Sequence, residues 1–269
     1  MSIEDFFIEL AREFKKLNNV HATTAIKSIE SIKYDVIDIL TKYAEPDGTI
    51  HRSKNAKIMR ELDKLFPALN ADINETIRKV IEETASWTTD KLLKYFAVTY
   101  GVALVADSVK ESIKASIVKD VFNYKWENGL TLHDSTFWLS RSLHDAIRIS
   151  VNINSKKGFQ EAVKGVNKTL EKERWRTENI IRSDGPNTYR RAIIENGKRS
   201  KYVKGWHITE GIHRSPKCVA LANADYYGMG QGNYPEDTSF PIESPHPRCT
   251  SFLTYIMTAR EDGLFDDYE

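Results

Sequence analysis

Cysteine is nearly absent from this 269-residue chain. There are two, Cys218 and Cys249, so a scaffold built from several disulfides is excluded. Missing too is any run of the roughly 18 to 20 apolar residues that spans a bilayer; the best candidate, YFAVTYGVALVA at 95–106, is too short, and no membrane partner is expected. Charge of one sign is not in excess, since 39 Lys and Arg face 38 Asp and Glu. The chain shows no internal repeat and no low-complexity run. Its opening, MSIEDFFIELAREF, puts acids where a signal peptide carries bases, so the expectation is a protein made and kept in a cytoplasm. There the two cysteines serve as free thiols or metal ligands before they serve as a disulfide.

What is present is ordinary globular material. Hydrophobic residues make up 41% and charged residues 29%, enough to bury a sizeable core. Charge is distributed unevenly: residues 156–204 hold fourteen Lys and Arg against six Asp and Glu, whereas the closing EDGLFDDYE holds five acids and no base.

The first half reads as helical. Ile3, Phe6, Phe7 and Leu10 recur at helical spacing after Ser2, a candidate N-cap, and Ile26, Ile29, Ile32, Val36, Ile37 and Leu40 repeat the pattern. Further helices are expected at about 53–65, 70–85 and 88–123, with Pro67 interrupting the first two and Thr88-Thr89-Asp90 capping the third. A turn at ENG (127–129) precedes a new helix capped by Thr131 or Asp134. SKKG ends that helix, another covers about 158–173, and the helical pattern then continues, broken at SDGP, until Gly197. Beyond Gly197 the pattern turns short and irregular, and TSFLTYIM (250–257) reads as a strand. The expected fold is mainly α with a small α+β C-terminal module. In sequence order it comprises an N-terminal helical region (1–123), a second helical region (124–197) and a loop-rich module with short strands and an acidic tail (198–269).

Chemistry concentrates at the end. Cys249 stands in IESPHPRCTSF, three residues after His246, and the same stretch of chain offers His207, His213 and Cys218. Histidine and thiolate are the usual zinc ligands, so Cys218, His246, Cys249 and His213 are candidate metal ligands with zinc as the candidate ion. The alternative is that the thiols pack as small hydrophobes while the histidines hydrogen-bond or face water. GMGQGN (228–233) is neither a dinucleotide fingerprint nor a Walker A loop, and no acid, base and nucleophile fall into a catalytic arrangement, so no enzyme is expected. In the basic stretch, Lys164, Lys168, Arg190 and Arg191 are candidate contacts to double-stranded DNA; interleaved Glu171, Glu173 and Glu178 leave a solvated, ion-paired face as the alternative.

Three islands, in order, resemble the phage head morphogenesis or minor head protein family, the phage Mu F-type proteins of tailed bacteriophages. WENGLTLHDSTFW (126–138) is similar to the family's Trp-x-x-Gly-Leu entry, and RWRTENIIRSDGPNTYRRA (174–192) to its Arg-Thr-Glu helix. GWHITEGIHRSPKCVAL (205–221) followed by FPIESPHPRCTSFL (240–253) is similar to its closing module, which ends in a His-Pro-x-Cys signature. The second Cys of the terminal pair is replaced here by Thr250 or Ser251. The resemblance covers about 124–255. It implies a structural, low-copy virion protein at the portal vertex, assembled in the host cytoplasm and acting in head morphogenesis and DNA packaging or delivery. The implied partners are the portal protein and the major capsid or scaffolding protein. Two other classes stay open: an ADP-ribosyltransferase-like toxin enzyme, whose Glu-x-Glu turn has its nearest counterpart in EKE (171–173), and a zinc-stabilised nucleic-acid-binding protein.

Overall fold

The computed structural model describes residues 2–100, 107–200, 202–212, 215–242 and 245–258. It is mainly α-helical with a small antiparallel sheet near the C-terminus, as the hydrophobic periodicity predicts. The helices are α1 (Ile3–Glu30), α2 (Ile32–Tyr43), α3 (Asn55–Tyr100), α4 (Asp107–Asn123), α5 (Leu132–Asn154), α6 (Phe159–Gly197) and α7 (Pro216–Asn223). The strands are β1 (Val203–Thr209), β2 (Asn233–Pro235) and β3 (Phe252–Met257). Among the described residues no helix is long and apolar enough to cross a membrane.

Two expected helix breaks are absent. Pro67 lies inside α3 and Pro186 inside α6, each removing one backbone hydrogen bond. Burial on either side compensates: Leu62, Leu69 and Ile73 flank the first proline, and Asp184, Asn187 and Tyr189 flank the second. Thr88 is likewise not a cap but a buried residue within α3, its hydroxyl donating to the Thr84 carbonyl oxygen at 2.8 Å. Ser2 does cap α1, accepting from the Asp5 amide at 3.0 Å. Thr131 caps α5 in a reciprocal box with Asp134.

Compactness divides the chain differently from sequence order. One unit gathers residues 1–20, 80–126 and 182–269, the other 21–79 and 127–181, and α1, α3 and α6 contribute to both. In the second unit the buried positions are mostly aliphatic: Ile26 and Ile29 on α1, Val36 and Leu40 on α2, Leu62 and Ile73 on α3, Leu143 and Ile147 on α5, Val166 and Leu170 on α6. Polar ties fix α5 to α3 there, with Thr136 donating to Asn74 Oδ1 at 2.7 Å and Arg148 pairing with Asp63 at 2.8 Å.

The first unit holds the sheet, ordered β2-β1-β3 with both neighbours antiparallel to β1. VKGWHIT, within a stretch irregular by pattern, is its central strand β1. Trp206 pairs with Tyr234 on one side and Tyr255 on the other. Gly205 is required beside them, because a β-carbon there would collide with the Tyr234 carbonyl oxygen. The aromatic inner face packs with Phe6, Phe7 and Phe14 of α1, Tyr95 and Phe96 of α3, and Tyr189 and Ile193 of α6 in one continuous core.

Candidate metal centre

Cys218 sits in the first turn of α7, after Pro216 at the helix start, and is wholly buried. Cys249 follows the Pro247-Arg248 turn and leads into β3. Arg248 adopts a φ of 55°, the left-handed region that a side chain enters at a cost, so this turn is held by its surroundings. One of those surroundings is Gly211, whose missing β-carbon would overlap Thr250.

These elements bring together three of the four expected ligands. Cys218 Sγ lies 2.9 Å from His246 Nε2 and 3.4 Å from Cys249 Sγ, and all three ligand atoms lie within 4.8 Å of one another. The sulfurs are too far apart for a disulfide, whose bond is about 2.05 Å, and both thiols are free. They stand a few tenths of an ångström closer than the roughly 3.8 Å that two thiolates on a tetrahedral zinc adopt. His246 Nδ1 is 2.7 Å from the Pro247 carbonyl oxygen. That oxygen can only accept, so Nδ1 carries the proton and Nε2 turns a bare lone pair towards the sulfurs, the orientation a metal-binding imidazole needs. Cys218, His246 and Cys249 thus form a group that can hold a metal ion. The fourth candidate, His213, lies outside the described residues. His207 is not part of the group: on β1 its Nδ1 meets Asn233 Oδ1 at 2.7 Å.

Electrostatics favour a thiolate at Cys249. The hydrogen bond from Cys218 holds the Cys249 thiol well below its ordinary range, and the Arg190 guanidinium adds to this against the opposing effect of burial. The same hydrogen bond, with burial, pushes Cys218 up.

Arg190 requires a correction. Expected at a DNA-facing surface, it is 1% exposed, and its Nη1 donates to the carbonyl oxygens of Cys249 at 3.2 Å and Ser251 at 3.3 Å. It clamps the cysteine turn and is closed to DNA. The readable signal was its helical register: Arg190 stands three and four residues before the buried Ile193 and Ile194, on their face of α6. Arg191 is half-buried, its Nε donating to Asn187 Oδ1 at 2.8 Å and its guanidinium stacked 4.8 Å from the Tyr124 ring centre. Only Lys164 and Lys168, in the other unit, are exposed as expected.

A second buried polar contact escaped the sequence. Trp126 Nε1 donates to Asp184 Oδ1 at 3.2 Å. Burial pushes the Asp184 carboxyl up to about 7, against the lowering effects of Trp126, Arg191 and Asn187. EKE and the Arg-Thr-Glu element both lie within α6: Glu171 is exposed, Arg176 donates to Ser142 Oγ at 2.7 Å and pairs with Glu173 at 2.9 Å, and Thr177 is buried.

No protein-family model, curated protein or solved structure matches this chain.

Proposed function

We propose that this chain is a structural minor head protein of a tailed bacteriophage, associated with the portal and acting in head assembly and DNA packaging or delivery. One observation carries the reading. The three islands that resemble that family are joined by buried polar contacts within one unit: Trp126 of the first bonds Asp184 of the second, and Arg190 of the second bonds Cys249 and Ser251 of the third. These bonds run between segments 58 to 61 residues apart in sequence, so the resembling segments meet in the fold and are not merely in the same order along the chain.

The metal we assign to the Cys218, His246 and Cys249 group is zinc, since two thiolates and an imidazole are a soft, borderline donor set. Held there, zinc would supply folding free energy by tying α7 to the turn before β3. The chain's own residues do the rest. Pro247 orients His246, and Arg190 fixes the carbonyls of the cysteine turn.

The test is co-expression with the portal protein of the same phage, followed by affinity purification, together with mass spectrometry of purified particles. The reading expects co-elution with portal oligomers and a few copies per particle. Absence from particles and no portal association would contradict it.

A further inference from the structure

A tetrahedral zinc takes four donors, and Cys218, His246 and Cys249 supply three. Among the described residues no further histidine, cysteine or carboxylate brings a ligand atom into that group. The chain nevertheless places one more donor beside it. Cys249 and Ser251 are 1% and 3% exposed, while Thr250 between them is exposed, the alternation of a chain about to enter β3 at Phe252. The cysteine and the serine therefore face the same side. Arg190 Nη1 donates to the carbonyl oxygens of these same two residues, at 3.2 and 3.3 Å, so the backbone that carries both side chains is fixed at each end.

Ser251 Oγ is buried and has no hydrogen-bond partner among the described residues. A fold avoids leaving a hydroxyl in that condition, because its desolvation then goes uncompensated. The hydroxyl stands close enough to act on Cys218 and Cys249 alike, and the Ser251 amide hydrogen-bonds to Cys249 as well. Neighbouring donors are engaged elsewhere. Thr250 is exposed and packs against Gly211, and His207 meets Asn233.

We propose that Ser251 fills the fourth corner of the metal site with its hydroxyl oxygen, giving a donor set of two sulfurs, one nitrogen and one oxygen. Two thiolates already cancel the charge of a divalent ion, so a neutral hydroxyl adds no further charge to bury. Oxygen is also a harder donor than sulfur, so the ion is held less tightly than a third cysteine would hold it. The proposal rests on the zinc assignment above and adds the residue that completes the site.

The experiment titrates the full-length, metal-free protein with cobalt(II), whose absorption reports how many sulfurs bind it, and measures zinc affinity by competition with a chelator. Wild type, Ser251→Cys, Ser251→Ala and His213→Ala are compared, with circular dichroism to check that each is folded. The wild type takes one cobalt with the charge-transfer absorption of two thiolates. Ser251→Cys adds a third, raising that absorption by about half, and binds zinc at least about tenfold more tightly. Ser251→Ala shifts the cobalt spectrum and weakens zinc at least about tenfold, and His213→Ala changes neither. The cysteine variant keeps the test decisive even where the alanine variant fails to fold, since it retains a donor at the same position. A Ser251→Cys protein with the wild-type spectrum overturns the proposal, as does loss of metal on His213→Ala with Ser251→Ala unaffected. Those outcomes leave the zinc assignment standing. A wild type that binds neither cobalt nor zinc overturns both, and portal association decides the head reading separately.

Discussion

In the unit built from residues 21–79 and 127–181 the buried side chains are mainly isoleucine, leucine and valine, whereas the unit that holds the sheet also buries a guanidinium, a carboxyl, two thiols and many aromatic rings. An aliphatic core is held by area and close packing, and it tolerates substitution of one apolar group by another of similar volume. A core containing Arg190, Asp184, Cys218 and Cys249 depends on each polar group keeping its partner, because an orphaned buried group costs its full desolvation. Exposed Trp138, Ile149 and Lys168 belong to the aliphatic unit of 21–79 and 127–181, and the cysteine turn belongs to the unit that holds the sheet.

The largest expected contrast is between two basic residues of the same helix. Arg190→Ala strips the partner from the carbonyls of Cys249 and Ser251 and should lower unfolding stability by about 3 kcal/mol or more. Lys164→Ala or Lys168→Ala should stay within about 0.5 kcal/mol. Urea midpoints measure both, and equal effects would erase the difference between the units.

The next effect is set by pH. The Asp184 carboxyl titrates at about 7 in the folded protein against 3.8 ordinarily, so its contribution is fully present below about pH 4 and is lost as pH rises through 7. Asp184→Asn keeps an acceptor for Trp126 and has no charge to bury. It should gain on the wild type by a few kcal/mol at pH 8, with the gain shrinking steadily towards pH 4. A pH-independent difference would show that Asp184 is not buried as described.

The smallest effect sharpens the account of the turn. Glycine adopts a φ of 55° without the steric cost Arg248 incurs, so Arg248→Gly should raise stability by about 1 kcal/mol in thermal unfolding and leave the cysteines in place.

Much of this was legible in the sequence. The caps at Ser2 and Thr131, the helical stripes and the strand at 252–257 follow from local pattern. The prolines misled because position 67 or 186 says nothing of the burial that keeps the helix going across it. Cys218, His246 and Cys249 were readable as candidate ligands by residue type, but their meeting depends on α7, the turn before β3 and Arg190, which are separated by tens of residues. Arg190 itself was misread as surface because its charge outweighed its register in a stretch of many bases. The bond between Trp126 and Asp184 left no local trace at all.

The most direct measurement is the zinc content of the purified protein, by elemental analysis, for the wild type and for Cys218→Ala, His246→Ala and Cys249→Ala. The account predicts about one zinc per chain in the wild type and loss of both the zinc and several degrees of thermal stability in each variant. A wild type that takes up no zinc when it is supplied, with variants equally stable, would contradict a metal-centred closing module.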